Sequence, residues 1–145
     1  MVTLEDLKRL LREELTSGDP YTTKRISDII LPVLSKIDEL GKLVLLDYTV
    51  TPLGANDSWI SKVDDDPATG RIVGSVYADQ AGTLYVEQSP NGTNWDVVDS
   101  FSVTAGAGLG FTVEKVCPYV RVRYVNGATA QTTFRLYVFK RLRVI

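Results

Sequence analysis

Residues 82–98 read GTLYVEQSPNGTNWDVV, and this stretch decides the fold. Aromatic and β-branched residues, which favour strands, stand on both sides of its centre. At the centre, Asn91-Gly92 supplies the positive φ angles that a tight hairpin turn demands. The stretch therefore predicts two antiparallel strands joined by a tight turn, with Tyr85 facing Trp95 across the hairpin.

The same pattern continues through the chain from residue 43 onward. Short runs of strand-forming residues alternate with clusters of Gly, Pro, Asn or Asp, and Asn126-Gly127 forms a second candidate tight turn. Eight runs at this spacing predict a mainly β domain over residues 43–145, an antiparallel β-sandwich or barrel of about eight strands. The predicted strands cover residues 43–50, 58–63, 71–78, 83–89, 95–103, 109–116, 119–125 and 132–142.

The first 42 residues follow a helical period instead. Leucines recur at three- and four-residue steps from Leu4 to Leu15, and a longer apolar stripe runs from Ile26 to Leu40. Pro32 lies inside the second stripe and predicts a kink. We therefore expect residues 1–42 to form an amphipathic helical arm in front of the β domain.

The longer stripe of the arm is a candidate interface. An Ile-rich seam favours the association of more than two helices. The alternative is that the stripe packs on the β domain of its own chain, and the two interpretations have similar weight. The candidate residues are Ile26, Ile29, Ile30, Val33, Leu34 and Ile37.

The composition argues against most catalytic chemistry. The 145 residues contain no histidine, which is the usual general base and a frequent zinc ligand, and Cys117 is the only cysteine. The acidic run Asp64-Asp65-Asp66 lacks the alternate spacing of a calcium loop and fits a turn better. We expect no enzyme activity, no cofactor and no bound metal.

The charge is distributed unevenly along the chain. A net charge of −2 comes from 16 basic and 18 acidic residues, but residues 115–145 hold seven basic residues and no acidic one. An acidic chain repels polyanions, so we do not expect nucleic acid as a partner. Arg121 and Arg123 share one face of a predicted strand, opposite Val120 and Val122. They can pair with acidic strands of the same fold or of a neighbouring subunit, and we take them as candidate interface residues.

The amino terminus passes directly into the charged amphipathic pattern, without the apolar core of a signal peptide. The longest apolar run, residues 43–46, is far shorter than the roughly 20 residues that cross a membrane. We expect a soluble protein made in a cytoplasm, with no membrane partner.

Two segments resemble β-sandwich regions in structural proteins of tailed bacteriophages. They are residues 76–96, with the hairpin described above, and residues 118–128, which read PYVRVRYVNGA. The resemblance covers roughly residues 72–138. It implies a virion component: a head-decoration protein that clamps neighbouring capsid subunits, commonly as a trimer, or a tail or baseplate module.

The preferred interpretation is a non-enzymatic virion structural protein that forms a homotrimer and binds a larger protein lattice such as a capsid shell. The alternative is a carbohydrate- or receptor-binding module of a phage tail, because Trp59, Trp95 and the seven tyrosines could stack on sugar rings. Co-sedimentation with assembled shells supports the first, and retention on glycans supports the second.

Overall fold

The computed structural model describes residues 5, 6, 8, 9 and 42–143. Residues 5, 6, 8 and 9 are helical. The β domain falls within one compact unit, Gly41–Ile145. The candidate interface residues of the arm, from Ile26 to Ile37, lie outside the described residues, so the helical arm and its two packing alternatives stay predictions.

All eight predicted strands are present. The structure begins and ends each within a few residues of the prediction. The strands are β1 (Leu43–Thr49), β2 (Ser58–Ile60), β3 (Thr69–Ala78), β4 (Gly82–Ser89), β5 (Val97–Val103), β6 (Leu109–Glu114), β7 (Tyr119–Asn126) and β8 (Phe134–Leu142).

The strands form two antiparallel sheets that pack face to face as a sandwich. The first sheet has the order β1-β8-β3-β6 and the second the order β2-β7-β4-β5. Each sheet has two edge strands, so the open alternative of a sandwich or a barrel is resolved in favour of the sandwich.

The core lies between the sheets and follows the strand alternation. In β7, Val120, Val122 and Tyr124 are fully buried, while Arg121 and Arg123 point outward, as predicted. The first sheet contributes residues such as Phe134, whose ring lies 4.8 Å from that of Tyr124, centroid to centroid. Each fully buried apolar side chain contributes about 1.5–3 kcal/mol to the hydrophobic stabilisation.

The predicted tight turn at Asn91-Gly92 is wrong in its type. Strand β4 ends at Ser89 and β5 begins at Val97, so a longer loop joins them and Trp95 precedes the strand. Only Gly92 has a positive φ, of 79°. The Asn91 side chain stabilises the loop instead, because its Oδ1 accepts hydrogen bonds from the backbone N–H groups of the two residues before Trp95, at 2.9 and 2.8 Å.

The predicted turn at Asn126-Gly127 is wrong for a related reason. Asn126 is the last residue of β7 and is buried, and neither residue has a positive φ. Its Nδ2 donates to the carbonyl oxygens of Gly54 and Thr129, at 2.8 and 2.9 Å. The side chain therefore ties two loops together. The non-glycine residue with a positive φ in the described chain is Asn56, at 60°.

Edge strand β1 contains a β-bulge. Its register against β8 shifts between Leu45 and Asp47. The Asp47 carboxylate accepts hydrogen bonds from the backbone N–H groups of Tyr48 and Lys62, both at 2.8 Å. The bulge therefore fastens an edge of the first sheet to the segment that follows β2.

Candidate binding surface

The structure brings the two predicted interface arginines together on the outer face of the second sheet. The Nε of Arg121 donates to Oε1 of Glu87 at 2.9 Å, and the Nε of Arg123 donates to Oε2 of the same carboxylate at 3.2 Å. The Glu87 side chain is only 8% exposed. One carboxylate on β4 thus serves two guanidinium groups on β7.

Two aromatic rings cover these guanidinium groups. Arg121 lies over the ring of Trp95 at 4.0 Å, and Arg123 lies over Tyr85 at 4.3 Å, from the guanidinium carbon to the ring centroid. The register partners of Tyr85 are Arg123 and Ser100, so the predicted Tyr85–Trp95 cross-strand pair is wrong. The basic face of β7 pairs within its own chain. Its contact with another subunit stays a prediction.

The acidic run Asp64-Asp65-Asp66 lies at one end of the sandwich, where two lysines contact Asp64 and Asp66. The Nζ of Lys115 donates to Oδ2 of Asp64 at 3.1 Å and to the backbone oxygen of Asp66 at 2.8 Å. Lys140 contacts both carboxylates, at 3.4 Å for Asp64 and 3.1 Å for Asp66. Among the described residues there is no group of three or more His, Cys, Asp or Glu side chains that could hold a metal ion.

The neighbouring carboxylates of Asp64 and Asp66 raise the pKa of Lys140. Desolvation lowers its pKa, but the hydrogen bond to Asp66 and the charges of Asp64 and Asp66 outweigh it, so the pKa of Lys140 lies above its ordinary value of 10.5. Because the pKa of Lys140 is raised in the folded state, the contribution of this interaction to stability is complete below pH 10.5. It is lost as the pH rises through the folded-state pKa. Lys140 is therefore charged throughout the physiological range.

A buried amide holds the segment around Cys117. The Nε2 of Gln88 donates to the backbone oxygen of Glu114 at 2.8 Å, while its Oε1 accepts from the N–H groups of Val116 and Cys117 at 2.8 and 3.1 Å. Cys117 is a free, half-buried thiol. The arrangement is structural, because Gln88 satisfies a stretch of backbone that leaves the sheet.

The outer face of the first sheet carries an apolar surface that the sequence analysis missed. Its most exposed members are on edge strand β1: Leu43, Leu45 and Tyr48 are 49%, 48% and 52% exposed. Strand pairing places them beside aromatic residues of β8, since Leu45 opposes Phe139 and Tyr48 opposes Tyr137. We call this surface the aromatic face; it consists of Leu43, Leu45, Tyr48, Val73, Tyr77, Tyr137 and Phe139.

The rings of the aromatic face stack on one another. Tyr48 and Tyr137 lie 5.4 Å apart with planes 7° from parallel, and Tyr137 and Phe139 lie 6.5 Å apart at 15°. Two shallow clefts of about 320 and 360 Å³ cross the face, and both are lined by the small residues Ser75 and Gly110. The surface is therefore apolar and grooved, which suits a partner that presents side chains.

A sequence signal for this surface did exist. Residues 136–139 read LYVF and residues 43–46 read LVLL, so apolar residues occupy both strand faces. Leu136 and Val138 are fully buried, which leaves Tyr137 and Phe139 outside. An uninterrupted apolar run in a strand of a two-layer fold predicts an apolar outer face.

Two antiparallel sheets with a packed core and one apolar outer face define a β-sandwich domain. The chain belongs to the family described as "Uncharacterised protein YqxG N-terminal domain", whose model matches residues 37–141.

Two relatives come from Bacillus subtilis (strain 168). The chain is 38% identical over 68 residues to the phage-like element PBSX protein XepA, covering 46% of this chain and 24% of the relative. It is 36% identical over 69 residues to the protein YqxG, covering 46% of this chain and 23% of the relative. The chain thus spans about a quarter of the length of the relatives it matches.

A crystal structure of the PBSX exported protein XepA shares the fold. Its TM-score with this chain is 0.62 at 31% identity, and the match covers 70% of this chain and 37% of XepA. The predicted resemblance to phage proteins is confirmed at a coarse level, because a relative belongs to a phage-like element. In the described part of the chain, no helix is long and apolar enough to cross a membrane.

Proposed function

We propose that the chain is a non-enzymatic structural module of a phage-derived particle, which assembles with copies of itself and with a larger protein lattice through the aromatic face. The proposal includes the homotrimer and capsid-type lattice expected from the sequence. The relationship to a protein of a phage-like element supports this proposal.

The observation that carries the proposal is the exposure of large apolar side chains in regular strands. Leu43 and Leu45 are each about half exposed on an edge strand, beside a continuous aromatic stack. Outer faces of antiparallel sheets are ordinarily polar, since water contacts them. Covering the remaining exposed half of one leucine contributes roughly 1 kcal/mol, so several such residues per subunit supply a specific interface.

We expect apolar side-chain packing, and not charge, to supply most of the affinity between subunits, because the interface arginines are already paired within the chain. Glu87 already neutralises part of the charge of Arg121 and Arg123 within the chain. An exposed ion pair contributes only about 0–1 kcal/mol. The aromatic face, by contrast, keeps Leu43, Leu45 and Tyr48 about half exposed, and the free energy gained by burying apolar area grows with the area covered.

The test compares two edge-strand variants of equal exposure. Leu45→Ser removes a side chain of the aromatic face that is 48% exposed, and Val98→Ser removes one from β5, on the other sheet, that is 47% exposed. We expect Leu45→Ser to weaken self-association by about fivefold in light scattering, the equivalent of roughly 1 kcal/mol. Val98→Ser should associate like the wild type.

Two outcomes would contradict the proposal. One is a wild-type mass of a single chain at micromolar concentration together with no co-sedimentation with phage shells. The other is equal weakening by Leu45→Ser and Val98→Ser. Retention on a glycan array would favour the carbohydrate-binding alternative, although guanidinium groups already cover one face of Trp95, Tyr85 and Tyr77.

A further inference from the structure

One end of the first sheet places three arginines side by side on its outer face. A row of paired residues crosses four strands there, in the order Leu43, Arg141, Arg71 and Glu114. Arg143 follows two residues after Arg141 on the same side of the chain. We call Arg71, Arg141 and Arg143 the arginine rim.

A bulge in β3 creates this arrangement. The register of β3 against β8 shifts between Thr69 and Arg71, so that Gly70 is the extra residue and Arg71 directly opposes Arg141. Like charges that face each other across strands destabilise a sheet. The fold therefore maintains an unfavourable pair at this position.

Among the described residues, Glu114 is the acidic residue that pairs with the rim. It contacts Arg71 at 3.7 Å, and both side chains are more than half exposed, so the pair offsets little of the repulsion. Arg143 donates to the backbone oxygen of Thr69 at 3.4 Å, and no described carboxylate pairs with Arg141 or Arg143. Asp64, a buried acid, pairs with Lys115 instead.

The rim surrounds an open cleft. The cleft has a volume of about 610 Å³ and is lined by Gly70, Arg71, Glu114, Lys115, Arg141, Leu142 and Arg143. A Cβ atom on Gly70 would lie 3.1 Å from Cγ of Arg143, so any larger residue would displace that side chain. The glycine therefore leaves room for the Arg143 side chain beside the cleft.

We propose that the arginine rim binds a phosphate group, either free or carried by a phosphate-bearing polymer. Guanidinium groups donate paired hydrogen bonds that match phosphate oxygens, and these charge-assisted bonds are about twice as strong as neutral ones. Three arginines and one glutamate leave a charge of about +2, which balances a phosphate dianion. Bound phosphate would also remove the repulsion between Arg71 and Arg141.

The test uses inorganic phosphate at low ionic strength, with chloride at matched ionic strength as the reference. Arg141→Gln removes the centre of the rim. Arg135→Gln is the matched control, because Arg135 lies on the same strand and outer face but stacks on Tyr77, 4.5 Å from its centroid and outside the cleft.

We expect phosphate to raise the melting temperature of the wild type and of Arg135→Gln. In Arg141→Gln the affinity measured by calorimetry should fall by at least about tenfold, the equivalent of one lost charge-assisted hydrogen bond. Without phosphate, Arg141→Gln should melt no lower than the wild type, because it removes a like-charge pair. This baseline separates loss of binding from loss of folding.

Polyphosphate distinguishes the two sources of the ligand. Much tighter binding of polyphosphate than of inorganic phosphate, abolished by Arg141→Gln, assigns the site to a polymer. Comparable binding assigns it to a single phosphate group. The proposal is overturned if the wild type binds neither probe, or if Arg141→Gln and Arg135→Gln respond alike.

Discussion

The ion pair between Asp64 and Lys115 gives the sharpest prediction on stability. Both side chains are almost completely buried, with 2% and 4% of their surface exposed, and their charged atoms lie 3.1 Å apart. Asp64→Asn preserves the shape of the side chain and removes its charge. Lys115 then has only neutral oxygen acceptors, such as the backbone oxygen of Asp66, in place of its paired carboxylate.

The expected loss is large because a buried ammonium group would be left without a counter-charge. Breaking such a pair by removing one partner costs about 3–5 kcal/mol, since the remaining ion stays desolvated. Lys140 also loses a contact, but it keeps Asp66 at 3.1 Å and is partly exposed, so it adds little. For a domain of this size the change corresponds to a fall in melting temperature of roughly 12–25 °C.

The assay is urea unfolding followed by tryptophan fluorescence, with Asp65→Asn as the control because Asp65 is the exposed neighbour in the same run. The double variant Asp64→Asn/Lys115→Met should recover most of the lost stability, since it also removes the buried, unpaired ammonium group. A loss below about 1 kcal/mol for Asp64→Asn, or a double variant less stable than either single one, would refute the reasoning.

Two further predictions concern an exposed carboxylate and an inner-face glycine. Hydrogen bonding, chiefly from the Thr132 side chain, lowers the pKa of Asp79 below 3.8, so its contribution to stability is present above that pH and is lost as the pH falls through the folded-state value. The difference in melting temperature between wild type and Asp79→Asn should therefore shrink in acid, and a constant difference would contradict this. Gly74→Ala should destabilise by about 2–3 kcal/mol or more in thermal unfolding, because its Cβ would lie 2.6 Å from the Phe111 ring. Gly108→Ala, with no atom within 4 Å of the new Cβ, should be close to neutral, and equal effects would exclude the steric explanation.

The strands were predictable because their signal is local. Alternation and turn residues located all eight, and the parity of Arg121 and Val122 in β7 was read correctly from neighbouring residues. The hairpin type was not predictable from Asn91-Gly92, because Asn91 bonds to its own loop through its side chain instead of adopting a positive φ. Local composition there permits both conformations.

The surfaces were harder to predict because they depend on which strands become neighbours. Glu87 and Arg121 are 34 residues apart, and Asp64 and Lys115 are 51 apart. Nothing in either segment alone specifies these pairs. The opposition of Arg71 to Arg141 likewise depends on a one-residue bulge, which changes the partner of every residue beyond it.

The Asp47 bulge in β1 bears on how copies of the chain would meet in the proposed assembly. An exposed, regular edge strand offers its backbone to any similar strand, and repeated addition of this type yields open-ended fibres. The carboxylate of Asp47 engages the backbone of Tyr48 and Lys62 and interrupts that regular edge. In the proposed assembly, subunits would therefore meet through side chains, a mode of contact that can close after a fixed number of copies and stop growing.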